Sequence, residues 1–88
     1  MEQKRFIVEG KVQGVGFRQF VLGEARKLGV TGFVRNLADG SVECLARGTS
    51  DQMASLEAEL KRGPSWSQVS FVTSELDDRP LSGGFRIS

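Results

Sequence analysis

The stretch Gln13-Gly14-Val15-Gly16-Phe17-Arg18 and the side chain of Asn36 are the parts of this sequence whose types and spacing could do chemistry. Two glycines make a tight turn, and Phe17, Val21, Ala25 and Leu28 then recur at helical spacing up to Gly29. A glycine-containing turn that opens directly into a helix presents consecutive backbone N–H groups, backed by the positive end of the helix dipole. It is a ready anion site. Arg18 falls in the first helical turn, where the dipole disfavours a cation unless a negative group lies beside it. A bound phosphate would resolve that conflict through a bidentate contact. Spacing alone leaves a plainer reading open, in which the glycines serve only the turn and the arginine is solvated. The loop is neither a Walker A nor a dinucleotide fingerprint, since no Gly-Lys-Ser/Thr follows and only Gly14-x-Gly16 is present. Asn36 is equally ambiguous by itself, because an asparagine just before Asp39-Gly40 could simply satisfy local backbone.

Composition narrows the chemistry. Histidine is absent, which removes the usual general base, the usual zinc ligand and every Ser-His or Cys-His pair. Cys44 is the only cysteine, so neither an internal disulfide nor a thiolate metal cluster can form, and a small buried apolar role is expected for it. No metal and no cofactor are expected. Twelve basic and eleven acidic residues leave a net charge of +1 and are scattered along the chain, so nucleic acid is not the expected partner. No apolar run approaches the roughly 18 residues of a membrane span, and Met1 to Arg5 leads straight into a strand pattern. The expectation is a cytoplasmic protein with no membrane partner. At 88 residues, 39% hydrophobic and 26% charged, residues 1–88 are expected to fold as one domain and to act as a monomer.

The elements that must position the loop and Asn36 follow from periodicity. Lys4 to Val12 alternates, with Phe6, Val8, Gly10 and Val12 on one side. After the first helix, Val30 to Leu37 and Ser41 to Arg47 read as strands joined at Asp39-Gly40. Thr49 and Gln52 match a capping box for a helix from about Ser50 to Arg62, which Gly63-Pro64 stops. Val69 to Leu76 is a further strand, Asp77 to Pro80 breaks it, and Phe85 to Ile87 could add a short last one. The order β-α-β-β-α-β predicts an α+β, ferredoxin-like split βαβ sandwich with two helices on one face of a four- to five-stranded, mainly antiparallel sheet. In that arrangement strands one and two run parallel with strand three between them. The loop and Asn36 then share one sheet edge, roughly 10 Å apart across two strand spacings.

Two blocks, Gly10-Lys11-Val12-Gln13-Gly14-Val15-Gly16-Phe17-Arg18 and Gly32-Phe33-Val34-Arg35-Asn36-Leu37-Ala38-Asp39-Gly40-Ser41-Val42-Glu43, resemble the acylphosphatase family. The resemblance extends to Leu28-Gly29, Gly63-Pro64 and the closing Phe85-x-Ile87. It implies hydrolysis of a small-molecule acyl phosphate to a carboxylate and inorganic phosphate, with Arg18 binding phosphate and Asn36 orienting water. The phosphate loop would comprise Gln13, Gly14, Val15, Gly16, Phe17 and Arg18. The chain departs from the family at Phe33, where many members carry tryptophan, and at Gln19, where an aromatic or basic residue is common. Both bear on substrate preference and loop packing.

The rival reading is a non-catalytic phosphate- or carbamoyl-phosphate-binding module, since this fold also serves regulatory and RNA-binding domains. RNA binding would call for exposed aromatics on the central strands, whereas Phe6 and Phe33 are expected in the core. Trp66, after the Gly63-Pro64 stop, is expected to plug the end of the core. Glu9, Lys11 and Arg35 are expected in solvated or cross-strand pairs without a catalytic role.

Overall fold

The computed structural model describes residues 1–88. Its elements are β1 (Glu2–Lys11), α1 (Phe17–Leu28), β2 (Thr31–Asn36), β3 (Val42–Gly48), α2 (Ser50–Arg62), β4 (Gln68–Leu76) and β5 (Phe85–Ile87). They form one five-stranded sheet in the order β4-β1-β3-β2-β5. Strands β1 and β2 are each antiparallel to β3 and therefore parallel to one another. The short last strand lies parallel to β2, pairing Phe85 with Gly32 and Ile87 with Val34.

Local sequence explains the helix ends. Thr49 accepts from the Gln52 N–H while the Gln52 side chain accepts from the Thr49 N–H, completing the capping box. The other end of the Gln52 amide donates to Leu28 O at 2.8 Å, so the cap of α2 also satisfies the end of α1. Alternation decides which face of the sheet the helices cover. Phe6 and Val8 of β1, Val34 of β2 and Val42, Cys44 and Ala46 of β3 pack with Phe17, Val21 and Ala25 of α1 and Met53, Leu56 and Leu60 of α2. Fully burying one such Leu or Phe stabilises the fold by about 1.5–3 kcal/mol. Burial also pushes the Cys44 thiol far above its ordinary range, with the Glu43 charge adding to the effect. Gly32 could not be replaced here: its φ is 147°, and a Cβ would fall 1.8 Å from Leu45 O across the β2–β3 pair.

The alternate residues face the other way. Glu43 and Leu45 of β3, Arg5 and Ile7 of β1, and Phe33 and Arg35 of β2 occupy the face without helices. Residues 77–84 must cross that face, because they join the two outermost strands. They do so against Gln3, whose amide donates to Arg79 O at 2.6 Å, and against Glu43, which Arg79 reaches at 3.4 Å.

Two packing expectations are corrected. Phe33 is half-buried outside the helix-side core, because its odd register with Val34 sends it to the opposite face. There the guanidinium carbons of Arg35, Arg79 and Arg86 lie 5.7–6.0 Å from its ring centroid. Trp66 is 78% exposed. The Pro64–Ser67 turn carries it, and that turn is closed by its own backbone, Ser67 N–H to Pro64 O at 3.0 Å, without needing the indole as a plug.

Candidate active site

The β1–α1 loop owes its shape to two left-handed glycines, Gly14 at φ 75° and Gly16 at φ 77°. A Cβ at either would meet nothing within 4 Å, so backbone conformation and not space makes glycine suitable. Gly16 is also the N-cap of α1 and brings no capping side chain, and the first turn holds no acidic residue. Phe20 is the first residue of the helix whose N–H is used, donating to Gly16 O at 3.0 Å. The N–H groups of residues 14–19 donate to no atom of the protein. They are a run of unspent donors at the positive end of a twelve-residue helix.

Beside them lies a cavity of about 180 Å³ lined by Val12, Gly14, Gly16, Phe17, Arg18, Gln19, Asn36 and Ile87. The parallel relation of β1 and β2 brings Arg18 and Asn36 to the same rim, as the topology requires. Neither side chain makes a hydrogen bond or ion pair within the protein: the half-buried Arg18 guanidinium and the exposed Asn36 amide are both uncommitted. By contrast Arg5, Arg26, Arg35, Arg62, Arg79 and Arg86 all have protein acceptors, and Arg47, the other unpaired arginine, is exposed and outside the cavity.

Of the residues singled out in the sequence, Gly14, Gly16, Phe17, Arg18 and Asn36 line the cavity, whereas Gln13 and Val15 belong to the loop but not to the lining. The Gln13 side chain turns away from the cavity and donates to Leu37 O at 2.7 Å and Ser41 O at 2.9 Å. Sequence reasoning missed Ile87, which reaches the rim only because β5 docks beside β2, a long-range pairing with no local signal. It also gave no place in the site to Gln19, whose departure from the family pattern was the one signal available there.

Next to Asn36 the β2–β3 turn is tied by Asp39, whose carboxylate accepts from the Ser41 hydroxyl at 2.5 Å and the Ser41 N–H at 3.0 Å. These bonds hold the Asp39 carboxyl below its ordinary range. Arg35, the neighbour of Asn36, is committed to Glu43 across the β2–β3 pair at 2.5 Å, a cross-strand pair of the kind expected for it.

A ferredoxin-like domain whose strand-end edge combines unspent amide donors, a free guanidinium and a free carboxamide belongs to the class of small anion-handling α+β proteins. Comparison with known proteins makes the class specific. The acylphosphatase family model matches residues 4–87. The acylphosphatase of Bifidobacterium longum (strain NCC 2705) is 51% identical over 79 residues, covering 90% of this chain and 79% of the relative. The crystal structure of acylphosphatase from Bacillus subtilis superposes with a TM-score of 0.93 at 39% identity, over 100% of this chain and 99% of that one. The chain belongs to the acylphosphatase family, and the activity this membership supports is acyl-phosphate hydrolysis. Full-length HypF, solved in a phosphate- and nucleotide-bound form, contains a similar region (TM-score 0.85, 27% identity), but it covers only 12% of that chain. The reading as a purely binding module is not favoured.

Proposed function

We propose that this chain, acting as a cytoplasmic monomer and without a metal, hydrolyses acyl phosphates with Arg18 and the residue 14–19 amides as the phosphate cradle and Asn36 as the water-orienting group. The observation that carries the assignment is that Arg18, Asn36 and the residues bearing most of the uncommitted loop amides, Gly14 and Gly16 to Gln19, line one cavity.

The chemistry asks for little more. The leaving group of an acyl phosphate is a carboxylate, a weak base with a pKa of about 4 to 5, so it departs without a proton from the enzyme. Phosphoryl transfer passes through a loose transition state with charge spread over the equatorial oxygens, where positioning and electrostatic stabilisation supply most of the rate. The amides and Arg18 meet that charge. The Asn36 carbonyl oxygen accepts a hydrogen bond from the attacking water while its NH₂ faces the phosphate. Water oxygen bonds to phosphorus, the P–O bond to the acyl oxygen breaks with its electron pair leaving on the carboxylate, and a phosphoryl oxygen takes the proton. The products are a carboxylate and dihydrogen phosphate. Asn36 is a poor base, and substrate-assisted proton transfer spares it that role.

The test is turnover of benzoyl phosphate in excess chelator by the wild type, Arg18→Ala and Asn36→Ala. Asn36→Ala should bind inorganic phosphate normally and lose kcat by roughly 10²-fold, about 3 kcal/mol. Equal rates in all of them would reject the residue assignment, and no turnover by the wild type would reject hydrolysis itself.

A further inference from the structure

Gln13 lies in the phosphate loop, yet its amide is directed at the opposite wall. Both atoms within hydrogen-bond distance of its Nε2 are backbone carbonyl oxygens, Leu37 O at 2.7 Å and Ser41 O at 2.9 Å. Carbonyls accept and never donate, so the NH₂ end of the amide must be the end that faces them. The same two carbonyls anchor the turn after Asn36: Ser41 O also accepts from the Leu37 N–H at 2.9 Å, and Leu37 O from the Gly40 N–H at 3.2 Å. Gln13 is thereby fastened one residue beyond Asn36, and no other side chain of residues 13–19 hydrogen-bonds to the β2–β3 turn. The β1 and β2 ends are otherwise separated by β3, whose ladder with β2 stops at the Asn36–Val42 pair.

We infer that Gln13 is a positioning residue that fixes the phosphate loop against the β2–β3 turn and so sets where Asn36 holds water relative to phosphorus. This rests on the role proposed for Asn36. The phosphate is gripped by the amides and Arg18 on one side of the brace and the water by Asn36 on the other. Loosening the brace therefore leaves anion affinity in place and spoils the alignment that only the transition state needs.

The test compares the wild type, Gln13→Met, Asn36→Ala and the double variant, with benzoyl phosphate turnover and inorganic phosphate affinity measured on each. Gln13→Met keeps the length of the side chain and removes both donors. It should lower kcat by about 10- to 100-fold, the scale expected of a displacement near 1 Å, with KM and the Kd for phosphate within about twofold of the wild type. In the Asn36→Ala background the same substitution should cost less than about twofold, because the group it positions is gone. Gln13→Asn, which keeps the donor but shortens its reach, should show the same kcat-only loss and serves if Gln13→Met does not fold. A matching rise in KM and phosphate Kd would make Gln13 a phosphate ligand and overturn the inference. So would a loss that multiplies fully with that of an impaired Asn36→Ala. An Asn36→Ala protein as active as the wild type would instead sink the water-orienting role along with the brace.

Discussion

Arginine does opposite things in two regions of this molecule. On the sheet face away from the helices, Arg5, Arg35 and Arg79 converge on the carboxylate of Glu43, which is 1% exposed. Arg79 is shared further with Asp77, and Arg5 with Glu75. At the strand-end edge, Arg18 has no acidic partner, stands where a helix dipole opposes it, and is flanked by amides that donate to nothing in the protein. The first region has spent its charges on the fold. The second leaves its donors unpaired within the protein, open to solvent and to the anion proposed for this cavity. Pairing marks the first group as structural, whereas Arg18 is singled out by its place in the cavity together with its lack of a partner, since the exposed Arg47 is also unpaired but lies elsewhere.

The sharpest way to break this contrast is to remove one cation from the functional side. Arg18→Ala should lower kcat/KM by about 10³-fold, roughly 4 kcal/mol, and abolish measurable phosphate binding. Its stability to urea should stay within about 0.5 kcal/mol of the wild type, because no hydrogen bond or ion pair within the protein is lost. Arg18→Lys should recover little, since an ammonium cannot reproduce the bidentate fork. A large loss of stability would show that Arg18 is a structural arginine after all.

The structural side should respond the other way round. Glu43→Ala leaves three guanidinium groups around an emptied site; they are 29–45% exposed and can partly resolvate, so the low end of the usual range applies, about 3 kcal/mol. Activity per folded molecule should change little. The same carboxylate makes the fold acid-sensitive. Burial alone would raise its pKa, but hydrogen bonds from Arg5 and Arg35 outweigh that and leave it below the ordinary 4.5. A folded-state pKa below the unfolded one contributes stability that is complete above pH 4.5 and is lost as pH falls through the lower, folded value. Urea midpoints of the wild type should therefore drop on acidification below about pH 4.5, and the drop should shrink in Glu43→Gln. An unchanged slope in that variant would assign the acid sensitivity to other carboxylates.

Much of the fold and the site is legible in the sequence, for physical reasons that differ by residue. The capping box at Thr49 and Gln52 and the glycine stops at Gly29 and Gly63 are local rules, and the helices begin and end where those residues place them. Asn36 and the loop meet at one edge because the order of elements admits few topologies. Apart from Trp66, whose exposure follows from the self-closed Pro64–Ser67 turn, the misses are non-local. Alternation alone could not say which side of the sheet Phe33 would take or that guanidinium groups would surround it. Nothing near Gln13 in the chain announces a bond to residues 37 and 41. The Glu43 cluster needs β1, β2, β3 and the crossing segment assembled before its partners meet.

A smaller test addresses how the loop holds its unspent donors in place. Gly16 has φ 77° with open space where a Cβ would stand, so Gly16→Ala adds conformational strain and no clash. It should cost about 1–2 kcal/mol in urea unfolding. Phosphate affinity should fall with it, because a backbone that relaxes from the left-handed region turns its N–H groups off the anion. Unaltered phosphate affinity would mean that the donors of residues 16–19 are not the cradle.

The smallest expected effect belongs to Trp66 and serves as the control for both regions. Its indole is 78% exposed on a turn held by Ser67, whose N–H and hydroxyl both donate to Pro64 O, at 3.0 and 2.6 Å. A tryptophan plugging the core would cost about 3–5 kcal/mol on truncation, because burial and cavity effects add. An exposed one has neither term. Trp66→Ser should thus shift urea stability by less than about 0.5 kcal/mol and leave kcat/KM unchanged. A loss of several kcal/mol would place the ring in contact with the core, and the turn would then have to pack it against the end of α2 instead of presenting it to solvent.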